Sequence, residues 1–589
     1  MNCASLILSE ETYDFIVEAE EPVSIPGEPV CRQPIDGTYQ VLYYNRNQMQ
    51  ELSVGTYSYT AIPKCYYLCD TTALDISGIT AIQNNPTLSL TGQGVFIGII
   101  DTGIDYTNRL FRREDGGSRI VRIWDQGAVG QGDVPEQGDV SEYDGISKQG
   151  DISEQGDMIE KRMSPRFLYG IEYSQEELDQ ALRTANPLEL VPTQDINGHG
   201  TFLASVAAGG RDPVNDFVGA APESELIIVK LKEAKEYLRE YFYVPKDVPA
   251  YQENDIMAAI AYISSVAKAA GRPVVILLGM GTSQGSHTGS GPLGIYSGQV
   301  GSRSGHCIVY PIGNEAERRR HYYGQAKSVL APERVEIDVA QEIEGFCMEA
   351  WAFAPEQIRV VVQSPTGQQS QGRFPVAEET QSTRFVFENT FLTIDYRVVG
   401  RRRGDLLVFF RFSNVARGIW TILIYPENSI TGAFHIWLPM DPEGEGNLAF
   451  LRPDPDTTLT EPSASEVPIS VGAYNGVIDG SYGPSGRGYN AVGMVKPELV
   501  APGVDVMGLG LRGNYEKRSG TSMAAAITAG AAAQVLQWGV ALGNAPEMNS
   551  VEVKNTLIRG LRRDENRDYP NVEQGFGKLD VYNSFLILR

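Results

Sequence analysis

The sequence predicts an α/β fold in which a parallel sheet carries helices on both faces, with an N-terminal leader and an inserted β-sandwich. Three observations support this prediction. Continuous apolar runs such as VFIGII (Val95–Ile100) and VVILL (Val274–Leu278) are typical of strands buried on both faces. Between such runs, the segment Asn254–Gly271 repeats apolar residues at helical spacing and ends in glycine. A later block of short strands, rich in β-branched and aromatic residues, interrupts this alternation.

The length of 589 residues exceeds what one hydrophobic core usually holds, so we expect more than one domain. We predict a leader at residues 1–62 and an α/β domain in two parts, 63–324 and 456–589, separated by an insert at 325–455. The leader contains an apparent strand, TYQVLYY (Thr38–Tyr44), between acidic and Pro-rich connections.

The rest of the α/β domain continues the same pattern. Strands alternating with helices predict a parallel sheet with helices on its faces. Three further apolar runs and one Ala-rich run carry this pattern: Leu226–Leu231, Cys307–Pro311, Val467–Asn475 and Ser522–Gly543.

The insert consists of short segments separated by turn signals, which predicts a β-sandwich. We expect it to act as a clamp that makes the α/β domain rigid, because a fold alone does not confer binding. The alternative is a surface that binds a glycan or a partner protein. Its predicted strands are Gln357–Gln363, Thr383–Asn389, Asp405–Phe412, Ile419–Tyr425 and Ala433–Pro439.

A short acidic unit (QGDV, EQGDV, KQGDI, EQGDM) recurs within residues 126–162. The segment is polar and Gly-rich, so it cannot bury enough apolar surface to order itself, and we predict a flexible surface loop. A calcium-binding repeat is the alternative, although a calcium site needs several convergent oxygen ligands and the spacing matches no such loop.

Charge and hydropathy exclude several classes of function. The net charge of −25 argues against a nucleic-acid partner, because phosphate binding needs an excess of Lys and Arg. No run of about 18 apolar residues occurs, so we expect no membrane-spanning helix. The N-terminus lacks the basic region of a secretory signal, and we therefore expect synthesis in the cytoplasm without export by the usual route.

The six cysteines are expected to be free thiols, because no signal peptide indicates an oxidising compartment. Cys65 and Cys69 lack a second pair of ligands nearby, so a zinc site is not predicted. We expect neither a metal ion nor another cofactor.

Three motifs suggest a catalytic site. Asp101, in IIDTGID, stands where an apolar strand ends, and functional groups gather at such ends in parallel sheets; alternatively it is only a turn former. His199, in NGHGT, has a glycine on each side, which permits close approach of the backbone. Ser522, in SGTSMAAAITAG, would begin a helix of small residues, where it is either a nucleophile or a simple N-cap.

These residue types perform one reaction together. A serine hydroxyl needs a base to accept its proton, and histidine titrates near neutrality and can supply it. A carboxylate fixes the tautomer of the imidazole and stabilises its charged form. The developing oxyanion needs donors, for which the Ser522 backbone N–H and the side chain of Asn314, in IGNE, are candidates. The other four histidines lack a comparable setting and are predicted to be structural or surface residues: His287, His306, His321 and His435.

The order Asp, His, Ser and the motifs DTG, GHGT, GNE and GTSMA resemble the subtilases. The resemblance covers about residues 80–320 and 460–589 and implies the subtilisin α/β fold. It also implies a catalytic triad and an oxyanion donor at the four positions named above. LLGMG resembles the strand that lines the substrate groove, with Gly279, Met280 and Gly281 at the first specificity pocket. Ala526 departs from the usual proline after the serine motif, as do HGTFLAS and LGMG from their usual forms.

Among subtilases, the chain resembles the clostridial Csp spore-germination proteases. SEETYDFIVE (Ser9–Glu18), GTSQGSHTG (Gly281–Gly289) and the serine motif without proline carry this resemblance. It implies that the leader is a prodomain that assists folding and is cleaved by the enzyme itself, near Ser58–Pro63. It implies a jelly-roll insert, packaging in the spore, and a protein substrate such as the zymogen of a cortex-lytic enzyme. Glu315, beside Asn314, suggests a preference for a basic residue before the cleaved bond.

Two functional hypotheses remain open from the sequence. The first is an active serine endopeptidase whose partners are a protein substrate and its own cleaved prodomain. The second is a catalytically silent pseudoprotease that signals or scaffolds during germination, since some members of this family have lost triad residues. The presence of all three triad residues favours catalysis.

Overall fold

The structure is a computed structural model of the chain. It describes residues 3–19, 25–68, 77–83, 85, 88–128, 167–372, 379–400, 404–427, 429–441 and 446–588. Cys69 and nearly all of the acidic repeat segment lie outside the described residues, so the loop and calcium hypotheses for that segment stay predictions.

A nine-stranded central sheet forms the α/β domain. Its inner strands are parallel, and an antiparallel strand pairs with Ile120–Asp125 at one edge and with Ile469–Asn475 at the other. The predicted apolar runs match strands to within two residues, because strands covered on both faces must be apolar throughout. The order across the sheet is Gly480–Ser481, Ile469–Asn475, His306–Pro311, Val274–Leu278, Phe96–Asp101, Glu225–Lys230, Ile120–Asp125 and Ile171–Ser174, with Leu499–Pro502 also paired to Ile469–Asn475.

Helices cover both faces of this sheet, which confirms the predicted fold class. Alternate side chains of one strand enter different cores: Ile97 and Ile99 face one, Phe96 and Ile100 the other. Glu253–Ala270 and Pro292–Gly301 pack on one face; His199–Ala208, Thr521–Leu536 and Ser550–Gly560 pack on the other. The remaining described helices are Cys3–Ile7, Ile79–Gln83, Gln175–Leu182, Glu236–Phe242 and Val581–Ile587, with short 3₁₀ turns at Arg46–Gln48, Arg109–Phe111, Pro187–Glu189 and Leu511–Gly513.

The helix Thr521–Leu536, continued by a π-helical turn to Ala541, is buried along its whole α-helical length. Small residues make this possible: a Cβ added to Gly530 would lie 2.2 Å from the Cβ of Ala220. By length and composition alone, Thr521–Ala541 could span a membrane, but 89% of its apolar window is buried inside the protein. Its composition is therefore accounted for by its place in the core.

The insert forms two antiparallel sheets that share one apolar core. Its first strand begins at His321, four residues before the predicted boundary at 325. The six-stranded sheet has the order His321–Gln325, Ala433–Trp437, Ile343–Ala352, Asp405–Val415, Thr390–Val399 and Thr380–Phe385. The four-stranded sheet has the order Ile358–Gln363, Gly418–Pro426, Glu333–Val339 and Leu448–Phe450.

The leader contains a three-stranded antiparallel sheet with the order Thr12–Glu18, Tyr39–Asn45, Cys31–Pro34. The strand predicted at Thr38–Tyr44 is thus shifted by one residue. The next strand, Cys65–Leu68, follows the predicted leader boundary at residue 62 and pairs with Tyr251–Gln252 and Met280–Gly281 of the α/β domain. We include the residues up to Leu68 in the leader below.

The prediction that all cysteines are free thiols is wrong for two of them. Cys3 and Cys31 form a disulfide, with their Cα atoms 5.6 Å apart. The short N-terminal helix and the strand Cys31–Pro34 bring the two residues within the distance that a disulfide needs. The sequence alone does not show that these two elements lie side by side. Cys65, Cys307 and Cys347 are free and buried.

A buried ion pair holds the leader on the α/β domain. Lys235 Nζ donates to Asp14 Oδ1 at 2.6 Å and to Thr12 Oγ1 at 2.7 Å. Gln252 Nε2 donates to the other oxygen of Asp14 at 3.1 Å. The side chains of Lys235 and Asp14 are 2% and 0% exposed, so each charge depends on the other for compensation.

We therefore predict that Lys235→Met destabilises the protein by about 3–5 kcal/mol, because it leaves Asp14 buried without a cation. The measurement is the midpoint of thermal or urea unfolding of the full chain. Lys246→Met is the matched control. Lys246 is 90% exposed and forms a weak surface ion pair of 3.9 Å with Glu236, so the unfolding midpoint of this variant should equal that of the wild type. Equal midpoints for the two variants would contradict the role given to Lys235.

Candidate active site

Three elements bring the predicted site residues to one edge of the central sheet. Asp101 ends the strand Phe96–Asp101, His199 begins the helix His199–Ala208, and Ser522 lies in the first turn of the helix Thr521–Leu536. The carboxyl ends of parallel strands share an edge, which is where such sheets present functional groups. All three side chains are buried, with exposed fractions of 1%, 2% and 0%.

Asp101 and His199 are in direct contact. His199 Nδ1 lies 2.8 Å from Asp101 Oδ1, which also accepts the backbone N–H of Thr102 at 2.8 Å. A carboxylate at Nδ1 favours the tautomer with its proton on that nitrogen. Nε2 is then the unprotonated ring nitrogen and can act as a base.

The backbone of Gly279 connects this pair to the serine. Ser522 Oγ donates to the carbonyl oxygen of Gly279 at 2.9 Å. A Cβ on residue 279 would lie 2.5 Å from Asp101 Oδ2 and 3.0 Å from His199 Cε1. Gly279 therefore borders all three predicted triad residues, and a larger residue would displace the carboxylate.

Asn314 is oriented by the serine helix. Its Oδ1 accepts the backbone N–H of Thr521 at 3.1 Å, and Thr521 Oγ1 accepts the N–H of Gly313 at 3.1 Å. The amide oxygen is thereby occupied, and the amide NH₂ group of the half-buried side chain is left as the donor. Ser522 lies one residue further along a helix whose N-terminal dipole favours negative charge.

Asp195 was not singled out in the sequence, yet it organises this site. Its Oδ1 accepts from Thr102 Oγ1 at 2.8 Å and from the N–H groups of Asn197 at 3.1 Å and Gly198 at 2.7 Å. Its Oδ2 accepts from the Thr201 N–H at 2.8 Å and the Thr201 Oγ1 at 2.7 Å. Asp195 thus ties the turn after Asp101 to the start of the His199 helix. The available signal was an Asp four residues before the histidine.

The leader strand Cys65–Leu68 lies between Tyr251–Gln252 and Met280–Gly281 and is antiparallel to both. Met280 is paired with Leu68 and Gly281 with Tyr67. Gly279, Met280 and Gly281, predicted to line the first specificity pocket, therefore run alongside the leader. Their assignment to that pocket stays a prediction.

Glu315 is buried next to Arg320, which forms an ion pair of 2.7 Å with Asp441. Burial raises the pKa of Glu315, and the nearby Arg320 opposes that rise. One carboxylate oxygen of Glu315 has no hydrogen-bond partner among the described residues. The proposed preference for a basic residue stays a prediction.

The other histidines have packing contacts instead of a catalytic setting. His287 lies between the carbonyl oxygens of Leu459 and Ser283, and its ring stacks on Trp437 with centroids 3.9 Å apart. His306 is within hydrogen-bond distance of Ser264, and His321 of His435. The rings of His321 and His435 both stack on Trp437. Within the described ranges, no group of three or more His, Cys, Asp or Glu residues could hold a metal ion.

A protein-family model for the subtilase family, Peptidase_S8, matches residues 92–335 and 445–577. These ranges include Asp101, His199, Asn314 and Ser522 and exclude most of the insert. The chain belongs to the subtilase family. The predicted family, a family of subtilisin-like serine endopeptidases, is thus confirmed.

Individual subtilases are similar over different lengths of chain. Serine protease AprX of Bacillus subtilis (strain 168) is 32% identical over 151 residues, 22% of this chain and 32% of AprX. Membrane-bound transcription factor site-1 protease of Mus musculus is 36% identical over 99 residues, 16% of this chain and 9% of that protein. The chain therefore matches only about a third or less of the length of these relatives.

A solved structure is similar over much more of the chain. The Clostridium perfringens CspB protease superimposes with a TM-score of 0.72 and 26% sequence identity. The match covers 87% of this chain and 98% of that one. The similarity to a Csp protease, predicted from short motifs, is confirmed at the level of the fold.

We predict that Asp195→Asn lowers the reactivity of Ser522 towards a fluorophosphonate about a hundredfold, because a small displacement of His199 is sufficient for such a loss. An asparagine keeps the volume but replaces one accepting oxygen by a donor. The measurement is the rate of fluorophosphonate labelling of Ser522, with circular dichroism as a check of folding. Asp247→Asn, at an exposed position, is the control and should label at the wild-type rate. Unchanged labelling of Asp195→Asn would contradict the positioning role.

Proposed function

We propose that the protein is a serine endopeptidase in which Asp101, His199 and Ser522 form the catalytic triad. The observation that carries the proposal is the 2.8 Å contact between His199 and Asp101, with the Ser522 hydroxyl held at the adjoining Gly279 carbonyl. As Ser522 Oγ attacks the substrate carbonyl carbon, His199 Nε2 accepts its proton and then donates it to the leaving amine. Water, deprotonated by His199, then hydrolyses the acyl-enzyme.

The oxyanion would be stabilised by two donors. The Ser522 backbone N–H lies in the first helical turn, where N–H groups have no intrahelical partner. The Asn314 amide supplies the second, since its oxygen is already bound by the Thr521 N–H. Donors that are fixed in advance stabilise developing charge without reorganising, which is the main electrostatic contribution in such sites.

The first substrate is proposed to be the leader itself, which acts as a prodomain. Its strand Cys65–Leu68 pairs with the segment that follows Gly279, the residue that holds Ser522. Because the pairing is antiparallel, the nucleophile lies beyond Leu68 along the leader. We therefore place the self-cleavage after Leu68, in preference to the Ser58–Pro63 region suggested by the sequence.

The cleaved leader is proposed to remain bound in the cleft as an inhibitor until a substrate strand displaces it. The buried Lys235–Asp14 pair and an apolar cluster that joins leader, insert and the helix Glu236–Phe242 favour retention. Glu349 of the insert accepts the Tyr59 hydroxyl of the leader at 2.7 Å and the Gly285 N–H of the α/β domain at 3.0 Å. Because Glu349 joins the leader to the α/β domain, these hydrogen bonds support the proposal that the insert holds the two together.

The physiological substrate is proposed to be a protein zymogen such as a spore cortex-lytic enzyme, with this protein packaged in the spore. The fold similarity to the CspB protease supports this proposal. The alternative is a pseudoprotease that signals or scaffolds. The leader strand in the cleft favours that alternative, since a cleft that never empties cannot turn over a second substrate.

One comparison tests catalysis. We predict that intact mass spectrometry finds the wild type cut after Leu68 into two fragments that elute together, whereas Ser522→Ala stays full length. Wild type should react with a fluorophosphonate once per chain and Ser522→Ala not at all. A full-length, unlabelled wild type would favour the pseudoprotease, and a cut elsewhere would refute the placement after Leu68.

A second comparison tests the proposed role of Glu315. We expect peptides with Lys before the cleaved bond to be hydrolysed about tenfold faster than peptides with Glu, which corresponds to one charged contact. Glu315→Gln should reduce that ratio towards one. Equal kcat/KM values for the two peptides in the wild type would refute the preference.

A further inference from the structure

We infer that Glu253 forms a cation-binding subsite of the cleft, which selects substrates carrying a lysine directly before the segment that pairs with Tyr251–Gln252 and Met280–Gly281. The inference rests on the proposed function and extends it from the reaction to the class of substrate. In this protein the leader occupies the subsite with Lys64, the residue before the strand Cys65–Leu68.

Lys64 is bound through both its backbone and its side chain. The Glu253 N–H donates to the Lys64 carbonyl oxygen at 3.1 Å, which extends the pairing of the leader strand by one residue. Lys64 Nζ lies 3.5 Å from Glu253 Oε2, and the Lys64 N–H donates to the same oxygen at 3.4 Å. The two side chains are only 6% and 3% exposed. A substrate strand in the same register would bring its own side chain to this position.

Three buried carboxyl groups lie around Lys64. Glu253, Glu349 and Glu461 are all buried, at 2%, 3% and 6% exposure, and Glu253 and Glu461 line the same cavity as Lys64. Burial raises the pKa of Glu349, although hydrogen bonds from Tyr59 and others and the charge of Lys64 oppose the rise. Burial also raises the pKa of Glu461 to about 7, and Glu253 contributes to that rise. Burial thus favours the neutral forms of Glu349 and Glu461, and Glu253 is the partner of Lys64 in the ion pair.

The carboxylates do not leave with the leader. Glu253 begins the helix Glu253–Ala270, and its Oε1 is held by the Leu293 N–H at 3.2 Å. Glu461 Oε1 is held by the Gly289 N–H at 3.2 Å. Replacing Lys64 by an uncharged residue would leave Glu253 as a buried charge without a cation, which is strongly unfavourable. A substrate that supplies a cation avoids that penalty, and one that does not binds more weakly.

The remaining contacts of Lys64 are made within the leader. Lys64 Nζ donates to the Tyr59 carbonyl oxygen at 3.0 Å and lies over the Tyr59 ring, 4.6 Å from its centroid. Both contacts are made within the leader, so a different protein substrate would lose them. Glu253 is the partner that remains, and we assign the selection to it.

The test uses quenched fluorescent peptides spanning residues 60–72, under reducing conditions, with the self-processed full chain as enzyme. The position of Lys64 is varied to Arg, norleucine and Glu, so no substitution in the protein is needed for the main comparison. We expect norleucine to lower kcat/KM about tenfold and Glu to lower it further, whereas Arg stays within a few-fold of Lys. Equal values for Lys and norleucine, or no cleavage of any peptide by a chain that has cut its own leader, would overturn the inference.

A variant then assigns the effect to one residue. Glu253→Gln should cleave the Lys and norleucine peptides with equal kcat/KM, while Glu565→Gln, at an exposed position, should keep the wild-type ratio. An unchanged ratio in Glu253→Gln would overturn the assignment; if that variant does not fold, the wild-type peptide series still decides. Failure of the proposed function is recognised separately, since such a chain would neither cut its leader nor react with a fluorophosphonate.

Discussion

The close contact between the helix Thr521–Leu536 and the central sheet is the constraint on which the rest of the site depends. Every residue of this helix is buried, and Gly530 approaches Ala220 more closely than any side chain would allow. Ala220 lies in the loop before the strand Glu225–Lys230, so the helix packs against that loop as well as against the sheet. Ser522 then meets the Gly279 carbonyl, and the Thr521 N–H meets Asn314. The small residues of the serine motif therefore contribute to the geometry of the candidate site, because they allow the helix to pack where Ser522 meets Gly279.

The elements that the sequence predicted well share one physical property. Strands such as Val274–Leu278 are covered on both faces, so their apolar runs begin and end with the strand. Asp101, His199 and Ser522 stood out in the sequence because their motifs combine a reactive side chain with glycines and small residues. The structure brings all three together around Gly279.

Other features depend on contacts between residues distant in sequence, which local patterns do not contain. The Cys3–Cys31 disulfide depends on how two leader elements meet. The position of Cys65–Leu68 depends on pairing with segments some two hundred residues away, which no local pattern in the sequence indicates. Asp195 has an ordinary local context, and its importance comes from accepting hydrogen bonds both from the turn after Asp101 and from the start of the His199 helix.

The insert separates two halves of the active site along the chain, and this has a consequence for the kinetics of folding. The hydrogen bond that orients Asn314 joins it to Thr521 across 207 residues, and the bond between Ser522 and Gly279 spans 243. Contacts between residues so far apart in sequence form slowly, because the chain loses the entropy of closing a long loop before the contact stabilises the folded state. A folded insert shortens the effective loop, since the strands His321–Gln325 and Leu448–Phe450 fix its two ends in one sandwich. Folding is therefore biased towards early formation of the insert and late formation of the contact between Ser522 and Gly279.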